Sequence, residues 1–498
     1  MIAPFVLSAL AGIISVFALK YGVKALAWLV SALFRVIPSR YRPPQNPDDN
    51  HIQILVLGDI GRSPRMQYHA ISVAKHGRKV DIVAYKGKPV INRYQNLSAY
   101  LLTLLPCSLG AETSRHPDLI GNERVSMYAL APQPEWIAWG TLPFFLNIPC
   151  KVIQQCWTLF YTMMWATPAA QWIIIQNPPS IPTFHIALFV SLIRGSKVVI
   201  DWHNYGHTIL AQKSLYAIFV PFYKWYEIML GKFLGNANLA VTDAMARDLR
   251  GRRFNLKNPV YTLHDRPAKL FRPIDSVQAR REFLERLPET KPHAKNIMDG
   301  SMRLIVSSTS WTPDEDFSIL LEALVSYANP SEEDTSSEPP SPILAIITGK
   351  GPEKEKYLEM IKQMQENGRL PGIKILTAWL SNRDYATLLA SADLGISLHK
   401  SSSGVDLPMK VVDMFGAGLP VVAYSAFESF SELVKEGQNG CGFESAAQLR
   451  GLLQKLFSED GQKELARLKK GAVQEGSLRW DEEWDRVMTG IIGLSGKK

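Results

Sequence analysis

The chain has 498 residues, a length that favours at least two domains, each with a substantial buried core. A hydrophobic content of 46% excludes an intrinsically disordered protein. The formal charge is +9, but the basic residues are dispersed and no RNA-binding or zinc-finger signature occurs. We therefore expect anionic membrane surfaces or phosphorylated ligands as partners, and no nucleic acid.

Cysteine usage indicates a reducing compartment. The chain has four cysteines, with no CxxC pair and no metal-ligand spacing relative to the ten histidines. We expect free thiols, and neither a zinc site nor a catalytic thiol, at Cys107, Cys150, Cys156 and Cys441.

The N-terminal segment is apolar enough for a membrane anchor. Residues 2–19 are almost wholly apolar, and after Lys20 and Lys24 the apolar character continues to Phe34, so a span of about 20 residues can be drawn. Basic residues follow the apolar core instead of preceding it. This order argues against a cleaved signal peptide and places the bulk of the chain in the cytosol. We predict an uncleaved anchor over residues 1–34 and a polar, proline-broken linker over residues 35–50.

A first α/β domain is predicted over residues 51–264. Apolar runs typical of buried strands recur along it, at residues 52–57, 79–85, 172–176, 197–201 and 239–242. Helical periodicity over residues 66–75 separates the first two strands, so a parallel sheet is expected. Two aromatic-rich segments, 142–165 and 215–234, fit either an interfacial helix among lipid headgroups or a core helix of the domain.

A second α/β domain is predicted over residues 301–472, after a polar connection over residues 265–300. Strand-like runs occur at residues 304–310, 343–349, 374–377, 392–398 and 419–424, and helical ones at 316–324 and 354–364. Residues 473–498 are expected to form a C-terminal helix that crosses back to the first domain. The fold class is thus α/β, with two Rossmann-like doubly wound domains and an N-terminal transmembrane helix. Ligands of such sheets lie at the carboxyl ends of the strands.

The loop after the first strand, residues 58–65, has the composition of a phosphate-facing turn. Its glycines let the backbone approach an anion and its arginines add positive charge. The GxGxxG spacing is incomplete, so dinucleotide binding is not supported. Asp59 either caps the turn or takes part in chemistry. The residues predicted to bind phosphate or substrate here are Gly58, Gly61, Arg62 and Arg65.

A second polar loop, residues 201–207, follows another strand. Its crowded polar side chains indicate a site that lines a cleft, although packed, hydrogen-bonded histidines remain the alternative. No acidic or cysteine partner follows at zinc spacing. The residues predicted for this part of the site are Asp201, His203, Asn204 and His207.

Four loops of the second domain are rich in hydroxyl groups and glycine, as a diphosphate and a sugar require. The last loop leads into a helix that begins near Pro408 and ends at Gly416 and Gly418, so backbone amides and Lys410 would face the diphosphate. No DxD-type acidic pair occurs, and we predict no metal site and no cofactor. The residues predicted to bind the sugar donor are Ser308, Thr309, Trp311, Gly349, Lys350, Trp379, Leu380, Ser402, Ser403, Gly404, Asp406, Leu407, Lys410 and Asp413.

Four stretches of the chain together resemble one known family. They are residues 58–69, 201–206, 310–317 and 401–416, and they look like the chitobiosyldiphosphodolichol β-mannosyltransferases from about residue 50 to the end. The resemblance implies a two-domain glycosyltransferase of the B architecture, anchored in the endoplasmic reticulum membrane with its catalytic part in the cytosol. It also implies transfer of the first mannose, β-1,4-linked, from GDP-mannose to di-N-acetylchitobiosyl diphosphodolichol in N-glycan precursor assembly. Its implied partners are the lipid bilayer and other dolichol-pathway mannosyltransferases.

One departure from the wider retaining glycosyltransferases bears on the reaction course. Their motif has two glutamates around GlyLeuPro, whereas this chain has Asp413 at the second position and no glutamate at the first. The α-linked donor and β-linked product implied by the resemblance require inversion, and so a base for the acceptor hydroxyl and a stabilised leaving group. We expect Asp59 as the base, then His203, with Lys410 at the leaving group, Asp413 at the ribose and Trp379 near guanine.

Two alternatives stay open. Another membrane-linked transferase of the same architecture would use a different nucleotide sugar, for instance UDP-N-acetylglucosamine on a phosphoinositide. A catalytically silent scaffold would keep the fold and the anchor, although polar loops at all strand ends argue against it.

Overall fold

The structure is a computed structural model. It describes residues 38–85, 116–132, 134, 144–212, 214–312, 315–330 and 340–494. The predicted anchor over residues 1–34 and Cys107 lie outside the described residues. The two expected parallel sheets are present, each with its own core, and this part of the prediction is confirmed.

The first sheet contains seven parallel strands in the order β3-β2-β1-β4-β5-β6-β7. The order reverses between β1 and β4, which makes this the topological switch point where ligands of open α/β sheets bind. The strands are β1 His51–Asp59, β2 Lys79–Tyr85, β3 Val125–Leu130, β4 Trp172–Asn177, β5 Lys197–Trp202, β6 Ala237–Ala240 and β7 Val260–Thr262.

The second sheet contains six parallel strands in the order β10-β9-β8-β11-β12-β13. Its switch point lies between β8 and β11. The strands are β8 Arg303–Ser308, β9 Ile343–Thr348, β10 Ile373–Ala378, β11 Leu394–Ser397, β12 Val421–Tyr424 and β13 Gly440–Phe443. Their near-continuous apolar runs fit a sheet that is buried on both faces.

Helices cover both faces of the first sheet. Those described are α1 Pro64–Lys75, α2 Phe144–Tyr161, α3 Thr183–Arg194, α4 Gly206–Ala211, α5 Val220–Leu234 and α6 Asp243–Arg250. Side chains alternate along β1: Leu55 and Leu57 join the core with α2, α3, α5 and α6, whereas Ile54 joins the core with α1. Thus α2, α3 and α5 form a layer on one face of the sheet.

The connection between the domains and the second domain add further helices. The connection holds α7 Val277–Arg286 and α8 Ala294–Asp299. The rest are α9 Phe317–Ala328, α10 Lys354–Glu366, α11 Asn382–Ser391, α12 Met409–Gly416, α13 Phe430–Leu433, α14 Ala446–Phe457, α15 Gln462–Gly476 and α16 Trp480–Ile492.

The C-terminal helix α16 packs on the first domain. The indole N–H of Trp484 donates to His69 of α1 at 3.0 Å, and that of Trp480 donates to Ser72 at 3.0 Å. Both tryptophans belong to the core on the α1 face of the sheet. This helix follows the second domain along the chain and packs on the first, which ties the two domains together.

No helix among the described residues is long and apolar enough to cross a membrane. The aromatic segment expected over residues 142–165 forms α2 and a short π turn, Thr162–Ala166, and Leu159 and Met163 of it enter the core of the first domain. The core interpretation of this segment is therefore correct for its inner face.

Candidate functional site

Loops at the carboxyl ends of the two sheets touch, so the strand ends of the two domains face each other, and we call the space between them the cleft. The side-chain amide of Asn204, after β5, donates to the hydroxyl of Ser402 at 3.1 Å. Thr242, after β6, donates to the carbonyl of Val405 at 2.6 Å. The structure thus brings the predicted loop 201–207 and the predicted loop 400–410 together.

Arg65 lies in a buried ion-pair network instead of facing solvent. Its guanidinium donates to both oxygens of Asp201, at 2.8 and 3.0 Å, and to Asp265 of the connection at 2.7 Å. Arg65 is 1% exposed and Asp201 is fully buried. Burial opposes ionisation of Asp201, but the adjacent Arg65 charge holds the pKa of that carboxyl well below its ordinary value.

This placement corrects the direct ligand roles predicted for Arg65 and Asp201. A guanidinium already bound to two carboxylates, with its side chain inside the protein, has no free face for a phosphate. The sequence could not show this, because Asp265 lies 200 residues away along the chain.

His203 is held by the same aspartate. Its Nε2 lies 2.8 Å from Asp201, and its side chain is 22% exposed. A carboxylate at one ring nitrogen fixes the tautomer and orientation of an imidazole, which leaves the other nitrogen to accept a proton. Among the described residues, Nδ1 of His203 has no assigned hydrogen-bond partner.

Asp59 makes the capping contact that the sequence left open. Its carboxylate accepts from the amide of Gly61 at 3.0 Å and so starts the 3₁₀ turn Ile60–Arg62. Asp59 is 5% exposed, whereas Arg62 is exposed on the same turn. Gly58 and Gly61 are partly exposed beside it, so the loop presents backbone at the switch point.

His207 is a packed, hydrogen-bonded histidine, which was the alternative interpretation for this loop. Its Nδ1 lies 2.6 Å from Glu227 of α5. Glu227 is fully buried and also accepts from the amide of Gly206 at 2.9 Å and from Asn177 at 3.0 Å. Direct contact of His207 with substrate is therefore not supported, because its ring is buried in this network.

Lys410, on the first turn of α12, pairs with a carboxylate that the sequence analysis did not assign to the site. Glu315 contacts its ammonium group and also accepts from the hydroxyls of Thr309 and Ser310, at 2.9 and 2.7 Å. Burial acts against ionisation, yet the charge of Lys410 keeps the pKa of Glu315 below its ordinary value. Glu315 thus orients Lys410 and the loop after β8 at once. The sequence signal that could have found Glu315 is an acidic residue between a strand-end loop and the start of a helix.

Glycine is required where the loops after β8 and β9 approach each other. A Cβ on Gly349 would lie 1.8 Å from the carbonyl oxygen of Thr309, and one on Gly351 would lie 1.6 Å from that of Ser310. Gly349 also has φ +119°, which L side chains rarely adopt. The backbones therefore meet directly at the donor side of the cleft.

Lys350 and Trp379 form an exposed cation–π pair on this side. The ammonium nitrogen of Lys350 lies 3.8 Å from the ring centroid of Trp379, and that indole is 64% exposed. A planar aromatic surface beside a positive charge suits a nucleoside phosphate.

Asp406 organises the loop before α12. It is 6% exposed and accepts from the hydroxyls of Ser401 and Ser403, the latter at 3.0 Å, while His399 lies 3.2 Å away. Its role is therefore to shape the loop, whose residues 401–404 all remain partly exposed. Gly404 has φ +79°, which fits the turn.

The remaining donor-side predictions separate into two groups. Ser308 lies at the cleft, 2.8 Å from the hydroxyl of Tyr385 and 3.1 Å from Thr348. Trp311 is fully buried against Phe317, with ring centroids 4.7 Å apart, so it packs in the core and cannot contact the donor. Leu380 and Leu407 are partly buried and pack on a hydrophobic core of the second domain.

Asp413 lies on α12, which begins at Met409 with Pro408 as its cap and ends at Gly416. Burial, and then the negative charge of Asp265, raise the pKa of Asp413 well above its ordinary value. Tyr68 of the first domain and Tyr385 lie within reach of its charge. This carboxyl therefore keeps its proton to higher pH and can donate as well as accept a hydrogen bond.

One group of metal-ligating side chains occurs within the described ranges, and it lies outside the predicted site. Its ligand atoms, from Asp243, His264 and Glu432, are within 4.8 Å of one another. Glu432 already accepts from the amides of Asp243 and Ala244, at 2.6 and 2.7 Å, and pairs with His264. These contacts join the first domain to the second, and we call this group of Asp243, His264 and Glu432 the domain clasp.

Residues 304–459 match the glycosyl transferases group 1 family. A chitobiosyldiphosphodolichol beta-mannosyltransferase of Arthroderma benhamiae is 45% identical over 388 residues, which cover 77% of this chain and 85% of the relative. The chain belongs to the chitobiosyldiphosphodolichol beta-mannosyltransferase family. The human member is 38% identical over 471 residues, covering 89% of this chain and 92% of its own length. An Arabidopsis thaliana protein named UDP-glycosyltransferase TURAN is 37% identical over a region that covers 88% of this chain and 96% of that protein.

Solved structures support the fold of this family member. The crystal structure of Anabaena Alr3699/HepE with UDP and glucose matches with a TM-score of 0.55 at 14% identity, covering 88% of this chain and 98% of that protein. At this identity the likeness concerns the fold alone. The two facing Rossmann-like domains are the glycosyltransferase B architecture expected from the sequence.

Proposed function

We propose that this protein transfers a β-1,4-linked mannose from GDP-mannose to di-N-acetylchitobiosyl diphosphodolichol, with inversion at the anomeric carbon. The observation that carries the proposal is the cleft itself. On its second-domain side stand Lys410, Lys350 and Trp379, and opposite them stands His203 on a buried aspartate. In a member of this family, these groups match the needs of a nucleotide-sugar donor and a hydroxyl acceptor.

The reaction is a single displacement. The acceptor hydroxyl oxygen forms a bond to the anomeric carbon while the bond from that carbon to the diphosphate oxygen breaks. The hydroxyl proton passes to the base, and the leaving electron pair stays on GDP. Lys410, oriented by Glu315, and Lys350 face the developing charge on the diphosphate.

We propose His203 as the base, with Asp201 as a positioning residue. His203 is 22% exposed with one ring nitrogen directed away from Asp201, whereas Asp59 is 5% exposed and its carboxylate accepts from Gly61. This ranking reverses the one expected from sequence.

The variants His203→Gln and Asp59→Asn test this choice. We expect His203→Gln to lower kcat by about 10²–10⁴ with GDP affinity retained, because only proton removal is lost. Asp59→Asn keeps an acceptor for the Gly61 amide and should retain most of its turnover. The opposite ranking, with Asp59→Asn inactive and His203→Gln near normal, would return the role to Asp59.

We also propose that residues 1–34 anchor the protein in the endoplasmic reticulum membrane, with both domains in the cytosol. Support comes from the apolar run and from the basic residues that follow it. An epitope tag after residue 498 should be digested by protease added to sealed microsomes. A shielded tag would contradict this orientation.

A second donor class has one observation in its favour, the name of the Arabidopsis relative. Purified full-length protein incubated with a phytanyl-linked chitobiose diphosphate and either GDP-mannose or UDP-sugars separates the two. We expect product with GDP-mannose alone. Transfer from a UDP-sugar would favour the alternative, and no transfer from any donor would favour the silent scaffold.

A further inference from the structure

We propose that the outer face of helices α2, α3 and α5 is a membrane-docking surface that lies among the headgroups of an anionic bilayer. We call it the helical face. It comprises the outward side chains of these helices, of the π turn Thr162–Ala166 and of the 3₁₀ turn Ser214–Phe219. The proposal goes beyond the acceptor chemistry and takes from the proposed function only the N-terminal anchor.

Large apolar side chains cover this face and point away from the sheet. On α2 they recur at Ile153, Trp157 and Tyr161, at helical spacing, while Leu159 of the same helix is fully buried. On α5, Phe222 and Trp225 are 57% and 59% exposed. The complete set is Ile153, Trp157, Tyr161, Trp165, Phe189, Leu192, Ile193, Ile218, Phe219, Phe222, Trp225, Met229 and Phe233.

The stripes of the three helices form one surface. His185 of α3 contacts its neighbours on both sides: its Nδ1 lies 2.6 Å from the hydroxyl of Tyr226 on α5, and its Nε2 lies 3.6 Å from the thiol of Cys156 on α2. The inner sides of all three helices contribute to the same core. A continuous apolar surface of this extent, exposed to solvent, indicates an interaction site.

Charge identifies the occupant. The helical face segments contain one carboxylate, Glu227, which is fully buried, whereas Lys224 is exposed and Lys232 partly exposed. Exposed Arg40 and Lys197 flank the end of α3. Aromatic and aliphatic side chains with basic residues and no exposed acid are the pattern of a surface that lies on anionic lipid.

The path of the chain leads to the same face. Arg194, the last residue of α3, accepts from the amide of Tyr41 at 2.6 Å, and its guanidinium donates to the carbonyl of Ser39 at 3.3 Å. The apolar run of the sequence ends at Phe34, five residues earlier. Five extended residues reach at most roughly 18 Å, so an anchor at residues 1–34 holds this end of α3 close to the bilayer.

The helical face is also coupled to the site. Glu227 lies on the inner side of α5, and it binds the amides of Gly206 and His207, at 2.9 and 3.3 Å, in the loop that carries His203. In the parallel sheet, the N-terminal ends of α3 and α5 lie at the edge where that loop begins. Docking through this face therefore brings the cleft to headgroup depth, where a lipid-linked diphosphate is located.

Collisional quenching of a fluorescent label tests the proposal. Full-length protein, with its native cysteines replaced, receives single cysteines labelled with an environment-sensitive dye at Ile153 and Phe222. The matched control label is at Val277, which is 71% exposed on α7. In vesicles of phosphatidylcholine and phosphatidylserine with doxyl-labelled acyl chains, we expect quenching at Ile153 and Phe222 and none at Val277. Equal, weak quenching at all three positions would overturn the proposal, as would shielding from soluble iodide without doxyl quenching, which indicates a protein occupant.

Charge-insertion variants give a second, independent readout. Trp225→Glu with Phe233→Glu should lose transfer to a dolichyl acceptor in vesicles and keep transfer to a phytanyl acceptor in detergent, while the matched variant Val277→Glu keeps both. Unimpaired transfer in vesicles would contradict docking. Inactivity of the unmodified protein on every acceptor would count against the proposed function alone, because quenching needs no turnover.

Discussion

Replacement of Arg65 by methionine separates a structural role from phosphate binding. Arg65→Met keeps an unbranched stem in place of the arginine methylenes and removes three charge-assisted hydrogen bonds, two to Asp201 and one to Asp265. Both carboxylates then lose their counter-charge in surroundings that exclude water, since Asp201 is fully buried and Asp265 is 11% exposed. We therefore expect a large loss of stability.

The magnitude follows from the burial of the pair. Removal of one partner of a buried ion pair costs about 3–5 kcal/mol, because the remaining charge is left uncompensated. A domain of this size loses about 2–4 °C of its melting temperature per kcal/mol. The expected decrease in apparent Tm is on the order of 10 °C. In Arg65→Met/Asp201→Asn, part of this loss should be recovered, since the amide carries no charge.

Thermal unfolding of the purified protein, with affinity for the phytanyl-linked chitobiose diphosphate measured below the transition, checks this prediction. Arg62→Met is the matched control, because Arg62 is exposed on the same loop, and it should leave Tm nearly unchanged. If Arg65→Met unfolds at the temperature of Arg62→Met but binds the lipid diphosphate weakly, Arg65 is a phosphate ligand and the structural reasoning fails.

Two further variants probe the donor side and the domain clasp. Glu315→Gln removes the charge that orients Lys410, so kcat/KM for GDP-mannose should fall about tenfold or more. The matched control Glu322→Gln, at an exposed position, should keep near-normal kcat/KM. Equal kinetics in the two variants would show that Lys410 needs no carboxylate partner. His264 is the second: burial lowers its pKa, but hydrogen bonds to Glu432 and Glu483 raise it from 6.5 to about 9. Its contribution, on the order of 3 kcal/mol, is complete below pH 6.5 and is lost as the pH rises to about 9. Urea unfolding below pH 6.5 and at about pH 9 should show this loss of unfolding free energy in the parent protein and not in His264→Gln. The same pH dependence in both proteins would refute the proposed role of His264 in the clasp.

The parallel-sheet architecture could be predicted because most strands are continuous apolar runs between amphipathic helices. The strands that the sequence did not predict have weaker patterns. β7 has three residues, and β13, Gly440–Phe443, contains two glycines. β3, Val125–Leu130, is an edge strand whose side chains are largely exposed or half-buried. Their positions are decided by pairing with neighbouring strands and not by their own hydrophobicity.

The loops of the site could be predicted from the strand ends, but the partners of their charges could not. Arg65 and Asp201 look like ligands in the sequence, yet they neutralise each other inside the protein. Glu315 stands in a motif that the family resemblance uses, and its function depends on Lys410, 95 residues later. Trp311 sits in a polar loop, and its burial follows from Phe317, which packs on it from the next helix. Such pairings depend on tertiary contacts that local patterns do not contain.

The anomeric configuration of the product tests the central claim most directly. Purified full-length protein, GDP-mannose and phytanyl-linked chitobiose diphosphate are incubated, and the product is digested with β-mannosidase or α-mannosidase. We predict a single mannose that β-mannosidase alone releases. Release by α-mannosidase would contradict the account.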